Sequence, residues 1–207
     1  MSISTSSEQP REPAWDIARL FPDQGTWSAG DYLELTSSTN RLVEFNNGNI
    51  EVLAVPTEEH QLILQFLQFA LRDFVAPRKL GTLVPAGLRV RTSSQTFREP
   101  DIVFMLTENR DRRNNNFWEG ADLVMEVVSP DTRSRMRELV DKRIEYAAAG
   151  IPEYWIVDPE TRSVTVLSLE DREYAEHGIF TEPDTATSVL LDGFSVSVQE
   201  VFAAADE

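Results

Sequence analysis

A chain of 207 residues that is 41% apolar can bury a substantial core, and without cysteine it has neither a disulfide framework nor thiolate metal ligands. No uninterrupted apolar run approaches the length of a membrane span, so no membrane partner is expected and the expectation is a globular, cytoplasmic protein. A formal charge of −16 excludes nucleic-acid binding by blanket attraction, but from Arg89 to Arg143 there are eleven Lys/Arg against ten Asp/Glu, and elsewhere eight against twenty-five.

Met1 to Pro13 is rich in Ser, Glu and Pro, so residues 1–14 read as a disordered tail and 15–207 as a single domain. Ser28 is a candidate N-cap for a short helix carrying Tyr32, Leu33 and Leu35. Arg41 to Phe45 and Asn49 to Val55 flank Asn46, Asn47 and Gly48, and Asn-Gly between β-type runs signals a hairpin because both residues tolerate positive φ. Thr57 then caps a long helix in which Ile63, Phe66, Leu67, Ala70 and Phe74 recur at helical spacing, ending near Pro77.

Thr82 to Arg91 reads as one strand, Thr92 to Arg98 as a polar turn and Pro100 to Met105 as a second strand. After a loop rich in Asn and Arg, Asp122 to Val128 is nearly continuous apolar sequence, the pattern of a strand covered on both faces. A helix is expected from about Asp131 to Ala149, with Met136, Val140, Ile144 and Ala147 as its apolar stripe and Gly150 and Pro152 as its stop. Glu153 to Val157, Ser163 to Leu169, Glu173 to Phe180 and Ser188 to Val198 read as strands that close the sheet.

From Thr57 the order is therefore helix, three strands, helix, strand, in an α/β arrangement. Asp101 opens the second strand and Glu126 lies near the end of the third. Two carboxylates on adjacent strands can hold a hard cation such as Mg²⁺, which takes oxygen ligands and keeps waters for a phosphate substrate. Taken alone, Asp101 after Pro is equally a turn residue. An acid within Leu123 to Val128 is harder to read as solvated surface, because an unpartnered buried carboxylate is costly. Glu44 on the hairpin is either a third carboxylate or a cross-strand partner. His60 is either a helix N-terminal residue or a group that contacts substrate or moves a proton. Arg133, Arg135 and Arg137 are a solvated face or phosphate contacts.

Six segments together, RLVEFNNGNI (41–50), PTEEHQ (56–61), EPDIV (99–103), ADLVMEVVSP (121–130), DKRIEYA (141–147) and AGIPEYWIVD (149–158), resemble the PD-(D/E)XK nuclease superfamily and, within it, the Uma-type restriction endonuclease family. The resemblance runs from about Trp27 to Phe202. It implies a restriction-endonuclease-like core around a central mixed sheet, with an N-terminal helix and hairpin and extra C-terminal strands. It also implies metal-dependent hydrolysis of DNA phosphodiester bonds, with Asp101 and Glu126 as metal ligands for Mg²⁺ or Mn²⁺. Val128 stands where that superfamily carries a lysine, and Lys142, one of only two lysines in the chain, is the residue that could supply the missing cation from the following helix. Glu138, four residues earlier, would pair with the same lysine in a purely structural reading. The alternative function is a catalytically degenerate nuclease fold that binds nucleic acid or protein. A homodimer fits an enzyme that cuts both strands.

Overall fold

The computed structural model describes residues 21–39, 41–130 and 135–206, so the expected tail and the expected start of the second long helix at Asp131 lie outside the described residues. Helix α1, Ala29–Ser37, begins with a reciprocal cap: Ser28 Oγ accepts from the Asp31 N–H, and Asp31 Oδ2 accepts from the Ser28 N–H. Strands β1, Val43–Asn46, and β2, Asn49–Val52, form the expected hairpin, with Asn47 and Gly48 both at positive φ. Helix α2, Glu58–Arg78, is capped by Thr57 and buries Ile63, Leu64, Leu67, Leu71 and Val75, with Phe66, Ala70 and Phe74 partly covered at the edge of the same cluster.

The expected strand Thr82 to Arg91 is two strands in two different sheets. β3, Gly81–Pro85, ends at Ala86 and Gly87, where φ is +99° at Gly87, and β4, Val90–Ser93, departs in a new direction. The expected polar turn contains a buried strand, β5, Thr96–Arg98, which pairs antiparallel with both β4 and β1. β6, Ile102–Leu106, leads into a 3₁₀ turn over Thr107–Arg112, followed by β7, Trp118–Glu119, and β8, Leu123–Val127. Then come β9, Glu153–Asp158, β10, Ser163–Glu170, and β11, Glu173–Thr181.

Two mixed sheets result. The larger has the order β11-β10-β9-β8-β6-β3, with β8 and β9 parallel and the other pairs antiparallel. The smaller has the order β2-β1-β5-β4-β7. The tail of the chain departs from expectation as well: β12, Thr185–Thr187, and β13, Ser195–Ser197, form a ribbon of their own, and a short helix, Val198–Ala203, follows. Among the described residues no helix is long and apolar enough to cross a membrane.

Alternation along β8 sorts its side chains between two cores. Leu123, Met125 and Val127 pack with α2 on one face, while Val124, and Val128 just past the strand, pack with Tyr146 and Tyr154 on the other. Glu126 falls on that second face, beneath the helix that follows. This helix, a π turn over Arg137–Asp141 running into α3, Lys142–Ala148, does not bury the expected stripe. Met136, Val140 and Ile144 are 57%, 41% and 65% exposed, and only Ala147 of that set is buried. The inner face carries Arg137, Glu138, Lys142 and Tyr146 instead. In the π turn the Lys142 N–H bonds the Arg137 carbonyl five residues back, which brings residues at that spacing towards one side.

Candidate active site

The antiparallel register that pairs Ile102 with Met125 continues, by one step, to Asp101 opposite Glu126. The Asp101 carboxylate is fixed by the strand edge itself: Oδ2 accepts from the Val127 N–H at 2.8 Å and lies 3.2 Å from His60 Nε2. His60 arrives there because Thr57 Oγ1 accepts from the His60 N–H and so sets the first turn of α2. Burial alone would lower the His60 pKa, but the hydrogen bond and charge of Asp101, with Glu126 and Glu138 behind it, raise it.

Glu126 is buried, and both of its side-chain bonds go to Oε1: Lys142 Nζ donates at 2.7 Å and Tyr146 Oη at 2.8 Å. Among the described residues Oε2 forms no hydrogen bond. Burial pushes the Glu126 carboxyl up to about 7 against the opposing charge of Lys142, and the neighbouring negative charges of Asp101, Glu138 and Glu44 push the same way. For Lys142 burial favours the neutral form, but Glu126, Glu44 and Glu138 together hold the ammonium above its ordinary range.

Glu44, the hairpin acid, sits directly beneath Lys142 at 3.3 Å from Nζ. Its cross-strand partner is Glu51, a like charge, and Arg137 spans the pair at 3.9 Å from Glu44 and 2.9 Å from Glu51. Glu44 also accepts from Arg98 Nη1 at 2.8 Å and from the Glu99 N–H, so its bonds are taken up by cations and backbone. Glu138 and Lys142 make no close ion pair, because Glu138 accepts from the Ser129 N–H and from Arg137, although its charge still acts on Lys142. Of the three arginines left open, Arg135 is paired with Asp158 and Glu160, Arg137 is buried in the site, and Arg133 lies outside the described residues.

Asp101, Glu126, Lys142 and His60 therefore line one cavity of about 280 Å³ together with Glu99 and Glu138, while Glu44 supports it from below. Two contributors have no assigned role in the sequence reading. Glu99 is buried with Oε2 unpartnered, and burial raises its carboxyl to about 7 against the charge of Arg89. Its position two residues before Asp101 was the available signal. Tyr146 lies four residues after Lys142, the spacing that puts both on one helical face.

No group of three or more His, Asp or Glu side chains able to enclose a metal occurs among the described residues. The donor set nevertheless suits Mg²⁺, which is bound through one or two carboxylates and otherwise by water and phosphate. Asp101 and Glu126 both line the cavity and offer carboxylates of that kind.

No curated protein matches the chain. Five solved chains are similar. Among them is the crystal structure of "a putative nuclease belonging to DUF820" from Anabaena variabilis ATCC 29413, with a TM-score of 0.73 over 86% of this chain and 99% of that one. At 21% identity the likeness establishes a shared fold. The model of the Uma2 family, described as "Putative restriction endonuclease", matches residues 29–199, and the chain belongs to that family.

Proposed function

We propose that this protein is a metal-dependent nuclease that hydrolyses DNA phosphodiester bonds on a restriction-endonuclease-like core, with Asp101 and Glu126 as ligands of Mg²⁺ or Mn²⁺ and Lys142 as the catalytic cation. The observation that supports the reading is the 2.7 Å contact between Lys142 Nζ and Glu126 Oε1, which brings an ammonium from α3 to the site where Val128, just past β8, offers none. A bound divalent ion would lower the pKa of a water and offset charge on the phosphate. The chain's own residues do the rest. Lys142 stays protonated against its three carboxylates and offers its ammonium to a phosphate oxygen or the attacking water. Tyr146 and Lys142 hold Glu126 by one oxygen and leave the other for ligation. The Val127 N–H and His60 orient Asp101.

One observation favours a second reading, a nuclease fold that binds nucleic acid without cutting it: the Lys142 side chain is only 2% exposed and is shared between Glu126 and Glu44. Cleavage of plasmid and labelled oligonucleotides with Mg²⁺ or Mn²⁺ separates the two. The hydrolytic reading requires cleavage that disappears on metal chelation and in Asp101→Ala and Glu126→Ala. Intact cleavage by folded variants overturns it, and binding without cleavage by the wild-type protein selects the second reading.

A further inference from the structure

Two ionic joints tie the smaller sheet to the helix that carries Lys142. At the inner joint Lys142 Nζ, already 2.7 Å from Glu126 Oε1, lies 3.3 Å from Glu44 Oε1 on β1. At the outer joint Glu145, three residues further along α3, accepts from Arg98 Nε and Nη2, both at 2.6 Å, and from Asn46 Nδ2 at 2.9 Å. Arg98 also connects the two joints. The register that pairs Phe45 of β1 with Phe97 of β5 sets Glu44 opposite Arg98 one step further on, and Arg98 Nη1 donates to Glu44 Oε2 at 2.8 Å. The Glu99 N–H holds the other Glu44 oxygen at 3.2 Å.

Glu44, Arg98, Glu145 and Lys142 therefore close a brace between a strand pair and a helix. Its inner members are buried, with the Glu44, Lys142 and Arg98 side chains 1%, 2% and 4% exposed, so their charges act on one another with little screening by water. A lysine ammonium is a compact charge on a flexible stem, and its direction is set by what surrounds it. Here two carboxylates set it, Glu126 from the larger sheet and Glu44 from the smaller. Without Glu44 the ammonium would belong to Glu126 alone, as a one-to-one pair against which an incoming cation has to compete. With Glu44 two carboxylates share one ammonium, and Glu126 keeps more of its negative charge.

We propose that Glu44 is a positioning residue: braced by Arg98 and Glu145, it shares the Lys142 ammonium with Glu126, fixing where the ammonium points and keeping Glu126 able to take a divalent ion. The effect on divalent ions rests on the nuclease reading, and the placement of Lys142 does not. The chain has only two lysines, the exposed Lys79 and the buried Lys142, so ¹⁵N-lysine labelling reads the Lys142 ammonium directly by NMR. In metal-free Glu44→Gln the Lys142 signal should shift and exchange faster with water. Mn²⁺ affinity measured by calorimetry should fall about tenfold, the size of effect expected when a partner behind a metal ligand is lost. Cleavage should fall with little change in KM. Glu145→Gln alters the outer joint, where the side chain is 22% exposed, and should move the Lys142 signal in the same direction by less. It carries the test if Glu44→Gln does not fold.

A Glu44 that serves the fold alone predicts lower stability with the wild-type Lys142 signal and the wild-type Mn²⁺ affinity, and that result in a folded variant overturns the proposal. Cleavage by the wild-type protein together with an unmoved Lys142 signal in Glu44→Gln overturns it while supporting the hydrolytic reading. A Lys142 signal that moves in Glu44→Gln, in a protein whose wild type neither binds Mn²⁺ nor cleaves, does the reverse: the placement of Lys142 stands and the hydrolytic reading falls.

Discussion

Lys142 Nζ meets Glu126 Oε1 at 2.7 Å although one residue lies on a helix and the other inside a strand sixteen positions earlier. The pair is buried, and the ammonium also balances Glu44 at 3.3 Å. Lys142→Met therefore leaves two buried carboxylates short of their counter-charge, and is expected to cost about 3–5 kcal/mol. Lys142→Met/Glu126→Gln removes both charges of the closest pair and should recover part of that loss. Urea unfolding of the two variants measures the difference, and equal destabilisation would show that the contact does not couple them.

Glu44 gives the site a pH dependence in the acid range. Burial would raise its carboxyl, but Lys142, Arg98 and Arg137 outweigh burial and hold it at about 2, against an ordinary 4.5. The unfolded chain therefore binds the proton first as pH falls. The stabilisation is complete above the unfolded value and is lost as pH falls through the folded one, a contribution of roughly 3 kcal/mol. Unfolding curves from about pH 5 to about pH 2 should show a steeper decline for wild type than for Glu44→Gln.

The parts of this site that the sequence revealed are those where few physical explanations compete. An acid between Met125 and Val127 on a buried strand has to be paired or functional, and Asn47-Gly48 has one good backbone use. What stayed hidden depends on partners remote in sequence. Arg98 looks like a turn residue because charges are seldom buried, but it is buried against Glu44 and Glu145, 54 and 47 positions away. The break after β3 was equally concealed, since β-forming residues continue on both sides of Ala86 and Gly87. On the helix carrying Lys142, periodicity pointed to the wrong face because ionic contacts with Glu126, Glu44 and Glu51 compensate the burial of polar groups.

That reversal of faces is testable by substitution. Met136→Ser, Val140→Ser and Ile144→Ser each alter an exposed side chain and should change stability by no more than about 0.5 kcal/mol. Tyr146→Ala, on the inner face between Glu126 and Tyr154, should cost about 3 kcal/mol or more. Thermal or urea unfolding decides. Large losses in the three serine variants with a small one in Tyr146→Ala would mean that the apolar stripe is the packed face.

Tyr146→Phe separates positioning from charge at Glu126. The hydroxyl donates to the oxygen that Lys142 also bonds, and it is buried. Its removal deletes one hydrogen bond, worth about 1 kcal/mol, and leaves the ion pair intact, so the fold should persist. With only Lys142 on Oε1, the Glu126 carboxylate gains freedom to turn, and ligation by Oε2 loses its fixed direction. In the nuclease reading cleavage should then fall about tenfold while the apparent Mg²⁺ requirement rises, a shift of the size that one lost orienting partner of a metal ligand produces. A fall in rate with an unchanged metal requirement would instead assign Tyr146 to packing against Tyr154, whose ring lies edge-on at 5.1 Å.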